Sequence, residues 1–317
     1  MRFEYAGQES LYTCPVRVLS FPSPISEKSF TKEKQMTKNE LTAQMCEAVK
    51  KVREHNPMAP SITNSVTINF VANAQLAAGG SAAMVYLPDE GEFLAEVSKA
   101  FYVNAGTLLP VYEQSLPRTC KALFEKGCPW VLDPVGIGIG SLRTQLLRTM
   151  KEYKPAVIRG NASEIIAVAK LWNLLSDKDD SAKSKGARGV DSTDEVLAAK
   201  EAAQVIARYT GGAVSVSGET DLVTDGTVSV LCRGGSRFLP MITGAGCSLG
   251  GVTAVYCTEA SPFIASLTAT SVYNIAAKDA EKNCSGPGTF QASFLDSIYL
   301  LTTRAERMKD ADIEILS

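Results

Sequence analysis

Short apolar runs alternate with helical segments through the middle of this chain, and that alternation restricts its fold more than any other feature. Ser81–Tyr86, Ala100–Asn104, Trp130–Asp133, Ala156–Arg159 and Ala213–Ser217 read as short buried strands. Val111–Lys126, Leu142–Tyr153, Ser163–Leu174 and Glu195–Tyr209 lie between or after them as helical segments. Leu41–Arg53 has the same character, with Leu41, Met45, Ala48, Val49 and Val52 on one face. Asp221–Thr224 and Thr227–Leu231, joined by Asp225–Gly226, form a hairpin. After Gly246 the chain reads as helical throughout, over 247–259, 262–282 and 290–308. Strands alternating with helices require a mostly parallel sheet covered on both faces, an α/β fold. In such sheets ligands bind beyond the carboxyl ends of the strands.

That rule directs attention to what stands at each strand end. Val131–Leu132–Asp133–Pro134 places an acid where an apolar strand meets a flexible turn. Ile158–Arg159–Gly160–Asn161 does the same with an arginine, and Asn161, Ser163 and Glu164 then open a helix. Ser217–Gly218–Glu219 and Asn104–Ala105–Gly106–Thr107 supply small polar residues at two further ends. The richest stretch is Thr243–Gly244–Ala245–Gly246–Cys247–Ser248, a glycine-rich turn running into an apolar helix. The first amides of a helix lack internal partners and favour anions, phosphate above all. A thiol at that position is expected to have a lowered pKa. Each motif alone is compatible with ordinary turn chemistry: Asp133 as a cap, Arg159 in a surface ion pair, Cys247 inert and buried. Together they offer an arginine for phosphate, acids for Mg²⁺ and backbone amides, the parts of a phosphoryl-transfer site without a Walker lysine. On this reading Arg159 stands at an exposed strand end, so its loss spares the fold.

Charge and cysteine usage narrow the partners. A net charge of −2 gives no basic surplus, which argues against nucleic acid and anionic membranes. No apolar run reaches the roughly 18 residues of a membrane span. The eight cysteines are scattered without metal spacing, and the single histidine, His55, leaves little material for histidine chemistry. Reduced thiols point to an intracellular, cytoplasmic protein. Residues 1–36, with Pro15, Pro22 and Pro24 and no helical periodicity, read as a flexible extension without a signal-peptide core. Residues 37–317 read as one folded domain, interrupted by a long charged loop over Ser176–Asp194.

The motifs also carry a family resemblance. Ser61–Ile62–Thr63–Asn64, Asn104–Ala105–Gly106–Thr107–Leu108, the Asp133 turn ending in Arg143–Thr144, and Ile158–Arg159–Gly160–Asn161 stand in order along the chain. Gly189–Val190–Asp191, Gly218–Glu219, Thr243–Gly244–Ala245–Gly246–Cys247 and Gly286–Pro287–Gly288–Thr289–Phe290–Gln291 follow them. In this set the chain resembles the hydroxyethylthiazole kinases of thiamine salvage, within the ribokinase-like superfamily. Cys247 is the specific signal, because most of the superfamily carries aspartate there. The resemblance implies a three-layer ribokinase-like fold and transfer of the ATP γ-phosphate to the primary alcohol of 4-methyl-5-(2-hydroxyethyl)thiazole, with Mg²⁺. It implies that Arg159, Ser217 and Asn161 contact ATP and that Met84, Gly244, Asn64 and Val66 contact the thiazole. Cys247 would lie beside the reacting hydroxyl, with Asp133 and Glu164 near the metal and phosphates. It also implies a homotrimer in which a neighbour's Asn64–Val66 segment lines the thiazole pocket.

Ser217 stands where threonine is usual in the family, and the Ser176–Gly189 loop and the N-terminal extension are longer than usual. Three further positions depart from its pattern. Pro60 stands where a histidine is usual, which would reshape a pocket wall, and Ile137 and Ile139 stand where small residues are common, which would crowd the phosphate side. Other readings are a different kinase on the same fold, for a hydroxymethylpyrimidine or a sugar, and a thiol enzyme using Cys247 as nucleophile. Cys247 argues against the first, and the lack of a nearby histidine base argues against the second. A non-catalytic thiazole or nucleotide-binding protein is a third.

Overall fold

The computed structural model describes residues 36–175 and 196–316. The extension over residues 1–35, the Ser176–Asp194 loop and the Gly189–Val190–Asp191 motif lie outside the described residues. From Met36 onward the chain builds one sheet between two helical layers.

The strands are β1 (Met58–Ile62), β2 (Ser81–Met84), β3 (Phe101–Asn104), β4 (Trp130–Asp133), β5 (Val157–Asn161), β6 (Ala213–Ser217), β7 (Thr220–Thr224), β8 (Ser229–Arg233) and β9 (Asp312–Leu316). Their spatial order is β2-β1-β3-β4-β5-β6-β7-β8-β9. Every pair from β2 to β6 is parallel, and β7, β8 and β9 add antiparallel strands at the far edge. The strand order reverses between β1 and β3, which creates a crevice at their carboxyl ends.

Around the sheet lie α1 (Lys38–His55), α2 (Ile68–Ala77), α3 (Pro88–Val97), α4 (Tyr112–Lys126), α5 (Ser141–Met150), α6 (Ala162–Leu171), α7 (Lys200–Thr210), α8 (Ala245–Cys257), α9 (Pro262–Glu281) and α10 (Pro287–Thr302). Successive strand residues serve opposite cores, as a period of two demands. Tyr102, Val131 and Val157 pack with α1, α2, α8, α9 and α10, whereas Phe101, Val103, Leu132 and Ile158 pack with α4, α5, α6 and α7.

α8 is the interior helix, and every residue from Ser248 to Cys257 is buried. Small residues bring it close to the sheet. A Cβ on Gly250 would come within 2.4 Å of the Tyr102 ring, and one on Gly251 within 2.8 Å of Val71. A methyl-sized overlap of that kind disrupts a close-packed interior.

The structure adds elements that the sequence pattern does not announce. β1 contains Pro60, which is tolerated because β1 meets β3 only at Ser61–Tyr102 and Ile62–Val103. The carboxyl end of the chain is not wholly helical. After α10 it passes through a 3-10 segment (Ala305–Asp310) into β9, which pairs with β8. The hairpin between β7 and β8 also turns over a longer stretch than Asp225–Gly226. Asp225 Oδ1 accepts from the amides of Thr227 and Val228, both at 2.7 Å.

Candidate active site

The carboxyl ends of β3, β4, β5 and β6 and the first turn of α8 bring their polar residues together. Asp133 ends β4 with its side chain fully buried, and Arg159 on β5 reaches across so that Nη1 lies 3.3 Å from Asp133 Oδ2. Arg159 Nη2 donates to Ser217 Oγ on β6 at 2.9 Å. The guanidinium lies directly under the start of α8, since a Cβ on Gly246 would fall 2.6 Å from Nη1. Gly244 caps α8 in the left-handed region at φ 92°, where a side chain would meet Thr67 at 2.9 Å. Glycine at both positions lets the helix start descend onto the charged pair.

Burial opposes the charge on both partners. It pushes the Asp133 carboxyl above the usual carboxylate range, against Arg159 and the Tyr102 hydroxyl, with Glu164 adding to the rise. Burial also works against charge on Arg159, but Asp133 and Glu164 outweigh it and hold the guanidinium up. Arg159 is therefore a buried ion-pair partner, 9% exposed, and not the exposed strand-end residue that its sequence position suggested. Asp133 Oδ1 and Arg159 Nε are buried without a hydrogen-bond partner among the described residues. Such atoms are satisfied in native proteins by a ligand, ion or water.

Cys247 faces a second set of groups. Asn64, two residues past the end of β1, donates from Nδ2 to Cys247 Sγ at 3.4 Å and to Asn104 Oδ1 at 3.1 Å. These two asparagines occupy the reversal point between β1 and β3. Burial pushes the Cys247 thiol up, as does Asp133, and Arg159 with Asn64 only partly offset them. The lowered thiol pKa expected of a helix start is thus not what this environment produces. Desolvation and a neighbouring carboxylate win over the helix terminus.

Asn161 and Glu164 form a reciprocal cap at the start of α6. Glu164 N–H donates to Asn161 Oδ1 and Asn161 N–H donates to Glu164 Oε2, both at 2.9 Å. This fixes the Glu164 carboxylate near the Asp133 end of the site. No group of three or more His, Cys, Asp or Glu residues suited to a metal ion occurs among the described residues. Two carboxylates and an unpartnered Asp133 oxygen nevertheless fit Mg²⁺, which takes one or two carboxylates and fills its shell with water and phosphate oxygens.

Two cavities flank the α8 start. The larger, about 950 Å³, is lined by Arg159, Asn161, Ser217 and Gly246, with Leu249 and Tyr273 on its apolar side. The smaller, about 420 Å³, is lined by Val66, Phe70, Ile242, Thr243 and Gln291. Met84 lines neither; it ends β2 beside Ser61 and packs on the core that includes α8. Asn64, Asp133, Glu164, Gly244 and Cys247 line neither as well, and nor do Pro60, Ile137 and Ile139. Ile137 packs against the α4–α7 layer and Ile139 is 68% exposed.

Sequence reasoning passed over Tyr102, Asp221 and Asn274. Asp221 accepts from Gly218 N–H at 3.1 Å and from Asn274 Nδ2 at 3.0 Å. It thereby ties the loop after β6 to α9 along the wall of the larger cavity. Its position two residues past Gly218–Glu219, an acid inside an otherwise uncharged strand, is the available signal. Burial pushes the Asp221 carboxyl up to about 6, against Asn274, the Gly218 amide and Arg159. An unfolded aspartate titrates near 3.9, so the folded chain holds this proton more tightly. The contribution of Asp221 to stability is full below about pH 4 and is lost as pH rises through 6. Asp221→Asn is therefore expected to gain roughly 2–3 kcal/mol relative to the unmodified chain between pH 4 and pH 7. Parallel denaturation curves check this, and a constant difference across that range contradicts it.

Comparison with known proteins follows the same lines. The model of the hydroxyethylthiazole kinase family matches residues 49–304. The chain is 48% identical over 263 residues to a hydroxyethylthiazole kinase of Bifidobacterium animalis subsp. lactis, spanning 81% of this chain and 86% of that protein. It is 38% identical over 254 residues to one of Cereibacter sphaeroides, spanning 80% and 92%. The structure of a hydroxyethylthiazole kinase protein from Pyrococcus horikoshii OT3 superposes with a TM-score of 0.75 at 28% identity, covering 86% of this chain and 99% of that one. A ribokinase-like superfamily protein from Enterococcus faecalis V583, with a TM-score of 0.57 at 11% identity over 86% and 91%, is alike in fold alone.

Proposed function

The chain belongs to the hydroxyethylthiazole kinase family, and we propose that it transfers the γ-phosphate of ATP to the primary alcohol of 4-methyl-5-(2-hydroxyethyl)thiazole. One observation carries the assignment of its two substrates to places. The first turn of α8 separates the two cavities, with Ile242 and Thr243 on the smaller and Ala245 and Gly246 on the larger. A phosphoryl group passing between two ligands must cross that turn, where unpaired helix amides and the Arg159 guanidinium neutralise its charge.

On this reading the larger cavity takes ATP, with Arg159, Ser217 and Asn161 on the phosphate side. The smaller takes the thiazole against Val66, with Gly244 next in the chain to its lining residue Thr243 and Asn64 two residues before Val66. Asp133 and Glu164 would hold Mg²⁺, which would supply positive charge against the phosphates during transfer. Cys247 stands beside the position of the acceptor hydroxyl, where its thiolate form takes that proton late in the transfer. A loose transition state needs little deprotonation before attack, so positioning and charge neutralisation supply most of the acceleration. The nucleophile alternative lacks a base. His55 lies at the carboxyl end of α1, before β1 begins, and is paired with Glu259 at 3.1 Å. That is the amino end of the strands, opposite Cys247.

ATP-consumption assays with the thiazole alcohol, hydroxymethylpyrimidine and ribose test the reading directly. Turnover is expected with the thiazole alcohol and at most a trace with the others. Faster turnover of the pyrimidine or the sugar would assign the site to a different alcohol.

The smaller cavity is open on the side of Val66, which is 64% exposed. A homotrimer that covers this side with a neighbour's Asn64–Val66 segment completes the pocket. Sedimentation is expected to give three copies of the 33.8 kDa chain, and an active monomer contradicts the shared pocket. No helix among the described residues is long and apolar enough to cross a membrane. The seven cysteines among the described residues are free, which suits a reducing compartment, and the cytoplasm is the proposed location.

A further inference from the structure

A continuous row of hydrogen bonds joins Asp133 to Cys247 through Tyr102, Asn104 and Asn64, and neither Tyr102 nor Asn104 has a part in the reading given above. Gly106 N–H donates to Asn104 Oδ1 at 2.9 Å. A backbone amide can only donate, so this bond fixes which end of the Asn104 amide faces which way. Asn104 Nδ2 then points at the Tyr102 hydroxyl at 2.8 Å and makes the phenol oxygen an acceptor there. The single phenol proton goes to Asp133 Oδ2 at 3.0 Å. On the other side Asn104 Oδ1 receives Asn64 Nδ2, whose second bond goes to Cys247 Sγ. One backbone N–H thus sets the direction of every bond from the carboxylate to the sulfur. Tyr102, Asn104 and Asp133 are all fully buried, so no water competes for these bonds.

Tyr102 touches the site a second way. Its ring lies against Gly250, where a Cβ would come within 2.4 Å. Gly250 is three residues beyond Cys247 and shares its face of α8. The same side chain therefore holds Asp133 through its hydroxyl and sets the height of the Cys247 helix through its ring.

We propose that Tyr102 is a positioning residue for phosphoryl transfer, fixing Asp133 and, through Asn104 and Asn64, Cys247 in one mutual arrangement. With Oδ2 occupied by Tyr102 and Arg159, Oδ1 is left as the carboxylate oxygen turned to a ligand. The role rests on the kinase reading, because it matters only if Asp133 and Cys247 act on one transferred group.

Tyr102→Phe removes the hydroxyl and keeps the ring against Gly250. Loss of an outer positioning bond typically costs roughly 10–100-fold in activity. Here that loss is expected in kcat, with KM for ATP and for the alcohol within about twofold of the unmodified enzyme. Asn104→Asp keeps the side-chain shape but draws the phenol proton away from Asp133, and is expected to lose at least as much in kcat. It carries the test alone if Tyr102→Phe fails to fold. Trp172→Phe breaks a buried bond to Leu147 O in the opposite layer and serves as a control for destabilisation without repositioning. It is expected to lower the melting temperature and spare kcat. Unmodified protein is assayed first, and failure to phosphorylate the thiazole alcohol overturns the functional reading. Given that activity, a Tyr102→Phe kcat within twofold, or kcat losses that match those of Trp172→Phe, overturns the positioning role.

Discussion

Arg159→Ala is expected to destabilise the fold by about 3–5 kcal/mol, the cost of leaving one member of a buried ion pair uncompensated. Asp133 has no exposure to water, and Arg159 is its only ion-pair partner among the described residues. Removing the guanidinium leaves the Tyr102 hydroxyl as the remaining donor to the carboxylate. Asp133→Asn in the same chain removes that charge, so the double variant is expected to recover part of the loss. Recovery on that scale would show that the charge, and not the guanidinium's packing under Gly246, dominates. The same substitution is expected to raise KM for ATP strongly, because a charge-assisted bond to phosphate contributes roughly 1.5–3 kcal/mol. Arg159→Lys keeps the charge but loses the fork that serves Asp133 and Ser217 at once, so it separates the two effects. It should fold nearly as well and still bind ATP weakly. Urea denaturation and initial rates measured on both variants decide the matter. A stability change in Arg159→Ala below 1 kcal/mol, with KM for ATP within twofold, would leave the pair without either role.

What the sequence exposes of this molecule follows from where each residue stands on its element. Asp133, Arg159 and Ser217 are legible because polar groups at the ends of apolar parallel strands converge on one edge by topology alone. Tyr102 is not, because an aromatic inside a buried strand reads as core, and its hydroxyl contact depends on strand register. Pro60 conceals β1, since proline argues against an inner strand until the limited pairing with β3 is known. α2 is equally hard to see, because it buries the polar Gln75 and exposes the apolar Leu76, which leaves little periodic contrast. β9 is hidden because Asp312 and Glu314 alternate with Ile313 and Ile315, leaving no apolar run after the long helices before it. Charge state is the least legible property. The helix start at Gly244–Cys247 can be read from glycines, but the burial that overrides its effect on the thiol comes from α2, β3 and β4 packing around it.

That burial changes how Cys247 is expected to behave. A thiol raised above its ordinary range is protonated at neutral pH, and its sulfur already accepts from Asn64. The acceptor alcohol therefore meets a weak base whose anionic fraction grows as pH rises. Turnover of the unmodified enzyme is expected to climb from neutral into alkaline pH, in step with that fraction. Cys247→Asp places a group of similar size that is anionic at lower pH, even though burial and Asp133 raise it as well. This variant is expected to keep or exceed the turnover number at pH 7 and to reach its plateau at lower pH than the thiol enzyme. Cys247→Ser retains a hydrogen-bonding oxygen but has no accessible anion, and is expected to lose roughly 10²–10⁴-fold in kcat, the usual contribution of a positioned base. In both variants the helix amides and Arg159 remain, so KM for ATP is expected to change little. The pH profiles of kcat for the three proteins carry the decision. If Cys247→Ser matches the unmodified enzyme, the sulfur has no proton role, and Arg159 with the α8 amides supplies the protein's share of catalysis. If Cys247→Asp is inactive while acid quench of the unmodified enzyme with ATP alone isolates a phosphorylated Cys247 with one ADP released, the sulfur is a nucleophile that displaces ADP and then passes the phosphoryl group to the alcohol in a second step.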